Sequence, residues 1–187
     1  LSTYENLTLG RVVTTNTSNT AVALNSTVGG IVEAGVSGDC DNGSTGGCNV
    51  VVASGRLVID AVTGIGDAGV LAEDGSVTTV GSIRMDTDSI DIDNTTSGNI
   101  NLFENDITTI IKIAQTGSGA DINLSYRDAG GAVLVGDIYA TVSGGTKKLV
   151  SRPAVSSGSS AEEQEQVDQG TQSTFTDTFT APAESGC

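Results

Sequence analysis

Pairs of apolar residues with one residue between them recur along the middle of this chain, and their spacing restricts the fold more than any other feature. Val50/Val52 and Leu57/Ile59 stand seven residues apart, and Ile83/Met85 and Ile90/Ile92 repeat the set 33 residues later. Ile100/Leu102, Ile111/Ile113, Ile122/Leu124 and Val133/Val135 follow at steps of 10, 11, 11 and 11 residues. An i, i+2 pair places two side chains on one face of a strand. Intervening residues such as Asp91, Asn101 and Asn123 are then expected to face solvent. The gaps hold Gly, Asn, Asp, Ser and Thr, which are turn formers. A short strand and its turn take about ten or eleven residues, and two of them make a repeat of about 21 or 22, within the range of solenoids.

The expected fold is therefore all-β: a parallel β-solenoid over residues 25–150. Its interior would hold Val50, Val52, Leu57, Ile59, Ile83, Ile90, Ile92, Ile100, Leu102, Ile111, Ile113, Ile122, Leu124, Val133 and Val135, with backbone hydrogen bonds running from coil to coil. Composition agrees. The chain has three Tyr, three Phe and no Trp, as suits a narrow interior filled by branched aliphatics rather than large rings. The alternative is an antiparallel β-sandwich with an exchanged terminal strand, which also shows short strands at regular spacing. Asn-Gly and Asp-Gly hairpin signals occur only at Asn42-Gly43 and Asp74-Gly75, which favours the solenoid. Residues 1–24 read as an N-terminal strand segment or cap. Residues 151–187 read as a Ser-, Glu- and Gln-rich linker followed by a strand-like tail, with Phe175 and Phe179 four residues apart in a Thr-rich run.

Eight Lys and Arg stand against 23 Asp and Glu, a formal net charge of −15. Such a chain repels phosphate backbones and anionic headgroups, so nucleic acid is not an expected partner. No apolar run is long enough for a membrane-inserted helix. The chain begins at Leu1 rather than Met, which reads as a processed product or a piece of something longer. Cys40 and Cys48 flank the turn-forming run DNGSTGG and are expected to form a disulfide, which implies an oxidising, extracellular setting. Cys187 is left over.

The stretch from Val62 to about Val142 resembles the large secreted bacterial adhesins of the filamentous haemagglutinin and autotransporter passenger type. The resemblance rests on VTGIGDAGVLAEDGSVTTVGSIRMDTDSIDIDNTTSGNINLFE, with its G-I-G turn and the T-x-G-N-I-x-L-x-E step from Thr96 to Glu104. It implies a right-handed parallel β-helix on a bacterial cell surface, serving adhesion, aggregation or biofilm structure. No catalytic residue comes with it.

Little conventional chemistry remains. The chain has no His, so Ser-His and Cys-His nucleophile pairs are excluded. Phosphate-binding glycine motifs are absent, and no cofactor is expected. Asp86, Asp88, Asp91 and Asp93 cluster in MDTDSIDID. They are a weak Ca²⁺ candidate, or the acids of a carbohydrate-active enzyme on a β-helix scaffold. The simpler expectation is that they keep a sheet surface soluble. The favoured function is a structural, adhesive surface protein, a unit or segment of a filament. Its partners would be other copies of itself and cell-surface glycans. An open solenoid leaves unpaired backbone at its ends, so Leu7–Thr15 and the Phe175/Phe179 strand are the candidate assembly elements. Six Asn-x-Ser/Thr triplets, at Asn6, Asn16, Asn25, Asn42, Asn94 and Asn123, follow from composition.

Overall fold

The computed structural model of the chain describes residues 1–35, 40, 45–66, 81–107, 109–117, 120–128, 134–140, 146–152 and 171–176, with side chains described up to residue 126. These residues are all-β, with no helix among them. Short strands come first: β1 (Ser2–Thr3), β2 (Leu7–Leu9), β3 (Val12–Thr14), β4 (Val22–Ser26) and β5 (Ile31–Glu33). Two longer ones follow, β6 (Val50–Ala61) and β7 (Ile83–Asn94). Then come β8 (Ile100–Ile107), β9 (Thr109–Gln115), β10 (Ile122–Asp128), β11 (Leu134–Ala140), β12 (Thr146–Arg152) and β13 (Thr171–Thr176).

The strands form one 11-stranded sheet and a two-stranded sheet of β2 and β5. Every pairing is parallel except that of β13 with β12, which is not the antiparallel pattern of a sandwich. Registers connect into long series. Leu24, Ile59, Ile92, Ile113 and Ile138 are successive partners. So are Leu7, Ile31, Ile65, Ile100 and Ile122, and so are Val12, Val50, Met85, Glu104 and Tyr126. Aliphatic residues stack on aliphatic ones in the first two series, while the third passes from Val and Met to Glu104 and Tyr126. Ser2 pairs with Asn25 and Val12 with Val50, so β1, β3 and β4 belong to the large sheet while β2 pairs with β5 in the small one.

The core follows the i, i+2 pattern closely. Val50, Val52, Leu57, Ile59, Ile83, Ile90, Ile92, Ile100, Leu102, Ile113, Ile122 and Leu124 are all buried, each contributing about 1.5–3 kcal/mol by leaving water. Ile111 is the exception. Ile90 pairs with Ile110, but Asp91 pairs with Lys112, so Ile111 is the extra residue of a β-bulge. Ile110 takes the buried place and Ile111 is only half-buried. A bulge adds one residue to one strand and re-aims the side chains beside it, which counting in twos cannot foresee. The 33-residue repeat also holds only in part. Leu57 pairs with Ile90 at that offset, whereas Val50 pairs with Met85 because the register shifts between Val52 and Arg56. Asn101, expected at solvent, is buried, while Asp91 and Asn123 are half-buried. Val133 and the side chain of Val135 lie outside the described residues.

Buried carboxamides close the places where chain direction changes between strands. Asn49 accepts from the Arg84 amide at 2.9 Å and donates to the Gly10 carbonyl at 3.2 Å. Asn94 accepts from Gly64 N at 3.0 Å and donates to the carbonyls of Ser97 and Gly98 at 2.8 and 3.0 Å. Gln115 donates to the Gly98 carbonyl and accepts from Gly117 N at 2.9 Å. Backbone groups that leave the ladder are satisfied this way without water.

Candidate functional site

A trough of about 420 Å³ lies beside the Leu7–Ile31–Ile65–Ile100 series. It is lined by the residues flanking those four: Asn6, Gly30, Val32, Gly64, Gly66, Asn99 and Asn101, with Thr63 and Gly98 alongside. None of these carries a charge. The glycines make the floor low, and the asparagines form its walls. Asn6 Oδ1 accepts from Gly30 N at 2.8 Å, and Asn99 Oδ1 accepts from Asp121 N at 2.9 Å. Asn101 Oδ1 accepts from Asn123 Nδ2 at 2.8 Å. The floor carbonyls are engaged too, with Gly30, Gly64 and Asn99 accepting from Leu7, Ile31 and Ile65 at 2.9–3.0 Å.

A second polar group lies on the outer face of β6, β7 and β9. Lys112 Nζ contacts Asp93 and stands 3.5 Å from Asp91, and Arg56 approaches Asp91 at 4.0 Å. Asp60 is the register partner of Asp93. Loss of hydration raises the Asp60 pKa, the Asp93 charge adds to this, and Lys112 opposes it. At Lys112 burial works to lower the pKa, but the hydrogen bond and charge of Asp93, with Asp91 behind them, carry it above the ordinary lysine value.

Glu104 is the third. Its register places it where Val50 and Met85 stand in earlier strands, and it is fully buried. Oε1 accepts from Thr87 N at 2.8 Å and Asp106 N at 3.3 Å, and Oε2 is 3.0 Å from Thr87 Oγ1. Burial pushes its pKa up to about 8, against the pull of those donors and with a further push from Asp86.

Asp86, Asp88, Asp91 and Asp93 do not converge. Asp86 accepts from Asn105 Nδ2 at 3.0 Å, Asp88 is exposed, and Asp91 and Asp93 share Lys112. Among the described residues, no group of three or more acidic, Cys or His side chains is arranged to hold a metal ion. Cys40 and Cys48 are bonded, with their Cα atoms 4.7 Å apart, and pack with Phe103 and Val51. Phe175 pairs with Lys147 in the β12–β13 ladder, while Phe179 and Cys187 lie outside the described residues. Asn94 is buried while Thr95 and Thr96 of its triplet are exposed, so its carboxamide is closed to modification in the folded chain.

Sequence reading passed over both the trough and Glu104. Glu104 could have been found, because Ile100, Leu102 and Glu104 continue one face in steps of two. The trough could not, because Asn6, Gly30, Gly64 and Asn99 become neighbours only through the register. A comparison of the chain with protein-family models, curated proteins and solved structures finds no match to any of them.

Proposed function

We propose that the chain is a parallel β-solenoid, wound as a right-handed β-helix. It serves as a structural, adhesive protein of an extracellular bacterial surface, a unit or segment of a filament in adhesion, aggregation or biofilm. The observation that carries this reading is the parallel pairing that runs from β1 through β4, β6, β7, β8 and β10 to β12, with different flanks. At one flank β13 covers β12. At the other, β1, β2 and β3 pair on one side only among the described residues. That flank holds the exposed large apolar side chains Leu1, Tyr4, Val13 and Val28. The charged side chains of residues 1–28 are Glu5 and Arg11 alone, which cancel in a chain of net charge −15. Copies approaching there avoid the repulsion they would meet elsewhere, and β-strand addition supplies main-chain hydrogen bonds. The Cys40–Cys48 bond supports an oxidising location. The alternative, a carbohydrate-active enzyme using the Asp cluster, is weaker because Lys112 engages Asp91 and Asp93.

Light scattering over a concentration series tests the assembly. The expected result is a mass that grows with concentration in the parent chain and stays monomeric in a Tyr4→Lys, Val13→Lys variant. Removal of residues 171–187 uncovers β12 and is expected to alter the mass distribution. A parent chain that stays monomeric at its highest soluble concentration, with neither change having any effect, overturns strand-mediated assembly.

A further inference from the structure

We infer that the trough beside β2 and β5 binds a neutral oligosaccharide, whose acceptor oxygens are held by the amide N–H groups of Asn6, Asn99 and Asn101. The three carboxamides are used unequally. Each oxygen already accepts a bond from the protein, and none of the three Nδ2 groups has a partner among the described residues. Backbone donors set the orientation at Asn6 and Asn99, because a peptide N–H must meet the oxygen and not the NH2. Asn101 is only 2% exposed and borders the trough, and its amide nitrogen, which is not one of the buried unpaired atoms, opens onto it without a protein acceptor among the described residues. A donor that opens onto the trough is met there by water or by an oxygen of a ligand that displaces it.

The same geometry restricts what can enter. A cation would need oxygens, but the Asn oxygens and the floor carbonyls are engaged. An anion would meet Glu5 and Asp121 beside the lining residues and the field of a chain of charge −15, which repels it. An extended peptide brings one donor for every acceptor and would leave its own N–H groups unpaired. A neutral sugar brings acceptors without charge, as hydroxyl, ring and acetamido oxygens, and its hydroxyl protons rotate to suit. Asn6 and Asn99 stand three strand spacings apart along the stack, about 14 Å, enough for a short linear oligosaccharide. The volume lies in the small-ligand range. No aromatic ring lines the trough, so affinity per site is low, with a Kd on the order of 1 mM. This deepens the adhesive reading and rests on it for avidity, since repeated units in a filament multiply weak sites.

The test uses the full chain, isotopically labelled, with NMR detection of its side-chain amides during titration with triacetylchitotriose. Saturable shifts of the Asn6, Asn99 and Asn101 NH2 signals are expected. The Asn6→Asp, Asn99→Asp variant keeps both acceptors for Gly30 N and Asp121 N while removing the donors. It should retain the parent's circular dichroism and bind at least roughly tenfold more weakly. Should that variant fail to fold, Thr63→Phe, which fills the trough from an exposed position, is expected to abolish the shifts. The inference is overturned if the three signals do not move, if a folded variant binds like the parent, or if trigalacturonate or an uncharged tripeptide binds as well as the neutral sugar. Assembly is read by light scattering without any sugar, so the two proposals fail separately.

Discussion

A carboxyl at position 104 stands where the same ladder carries Val50 and Met85, so its proton decides what that place costs. With a folded pKa of about 8 against an ordinary 4.5, the native state binds a proton that the unfolded chain releases across that interval. Its contribution to stability is full below about pH 4.5 and is lost as pH rises through 8. Glu104→Gln supplies the same oxygen to the Thr87 and Asp106 amides and an NH2 to the Thr87 hydroxyl, with no charge to bury. In urea unfolding the two chains should agree within about 1 kcal/mol near pH 5. Near pH 9 the variant should be more stable by a few kcal/mol, because an ionised carboxylate is then confined among Asp86, Asp106 and apolar neighbours. Equal pH dependence in the two proteins would show that Glu104 does not ionise inside the fold.

Among the strands, β9 shows how local order overrides a repeat. Thr-Thr-Ile-Ile-Lys-Ile offers two equivalent isoleucines, and hydropathy cannot rank them. The register of β7 ranks them, since Asp91 must meet Lys112 to place the ammonium between Asp91 and Asp93. That displaces Ile111 to the bulge and sends Ile110 inward. Ile110→Ala should cost about 2–5 kcal/mol, as a core cavity does, and Ile111→Ala under about 1 kcal/mol. Paired denaturation curves check this, and the reverse order would put the bulge elsewhere. The carboxamides at Asn49, Asn94 and Gln115 belong to the same scale. Each sits where a strand ends and would leave backbone groups dry and unpaired without its side chain. In the sequence they look like any other Asn or Gln in a chain rich in both.

For the molecule as a whole, the Cys40–Cys48 bond acts mainly on the unfolded chain. Closing a segment with a separation of 8 residues should contribute about 2–3 kcal/mol by reducing the entropy of the unfolded state. Removing both thiols by Cys40→Ser, Cys48→Ser also takes two buried sulfurs from the contact with Phe103. A lower thermal midpoint in the variant, with neither cysteine labelled by a thiol reagent in the unfolded, unreduced parent, is the expected outcome. Labelling of both would remove the argument for an oxidising compartment. The flanks are the other feature of this scale. One carries exposed apolar residues without net charge and the other an antiparallel strand, and in the proposed filament this asymmetry would direct association along one axis.

Period-two burial, strand composition and the disulfide were legible in the sequence because each depends on residues near one another in the chain. The alternation that hides Leu57 and Ile59, or Ile100 and Leu102, is a property of any strand with one buried face. The turn-rich run between Cys40 and Cys48 favours their meeting whatever surrounds it. Register was not legible. Which residue of β6 lies beside which residue of β7 depends on bulges whose cost is settled by contacts across the sheet, so Met85 rather than Ile83 met Val50, and Asn101 went inside. The trough and the environment of Glu104 share that origin. Their parts are far apart in the chain, 95 residues from Asn6 to Asn101 and 17 from Thr87 to Glu104. Only the stacking of parallel strands, about 4.8 Å apart, turned them into neighbours.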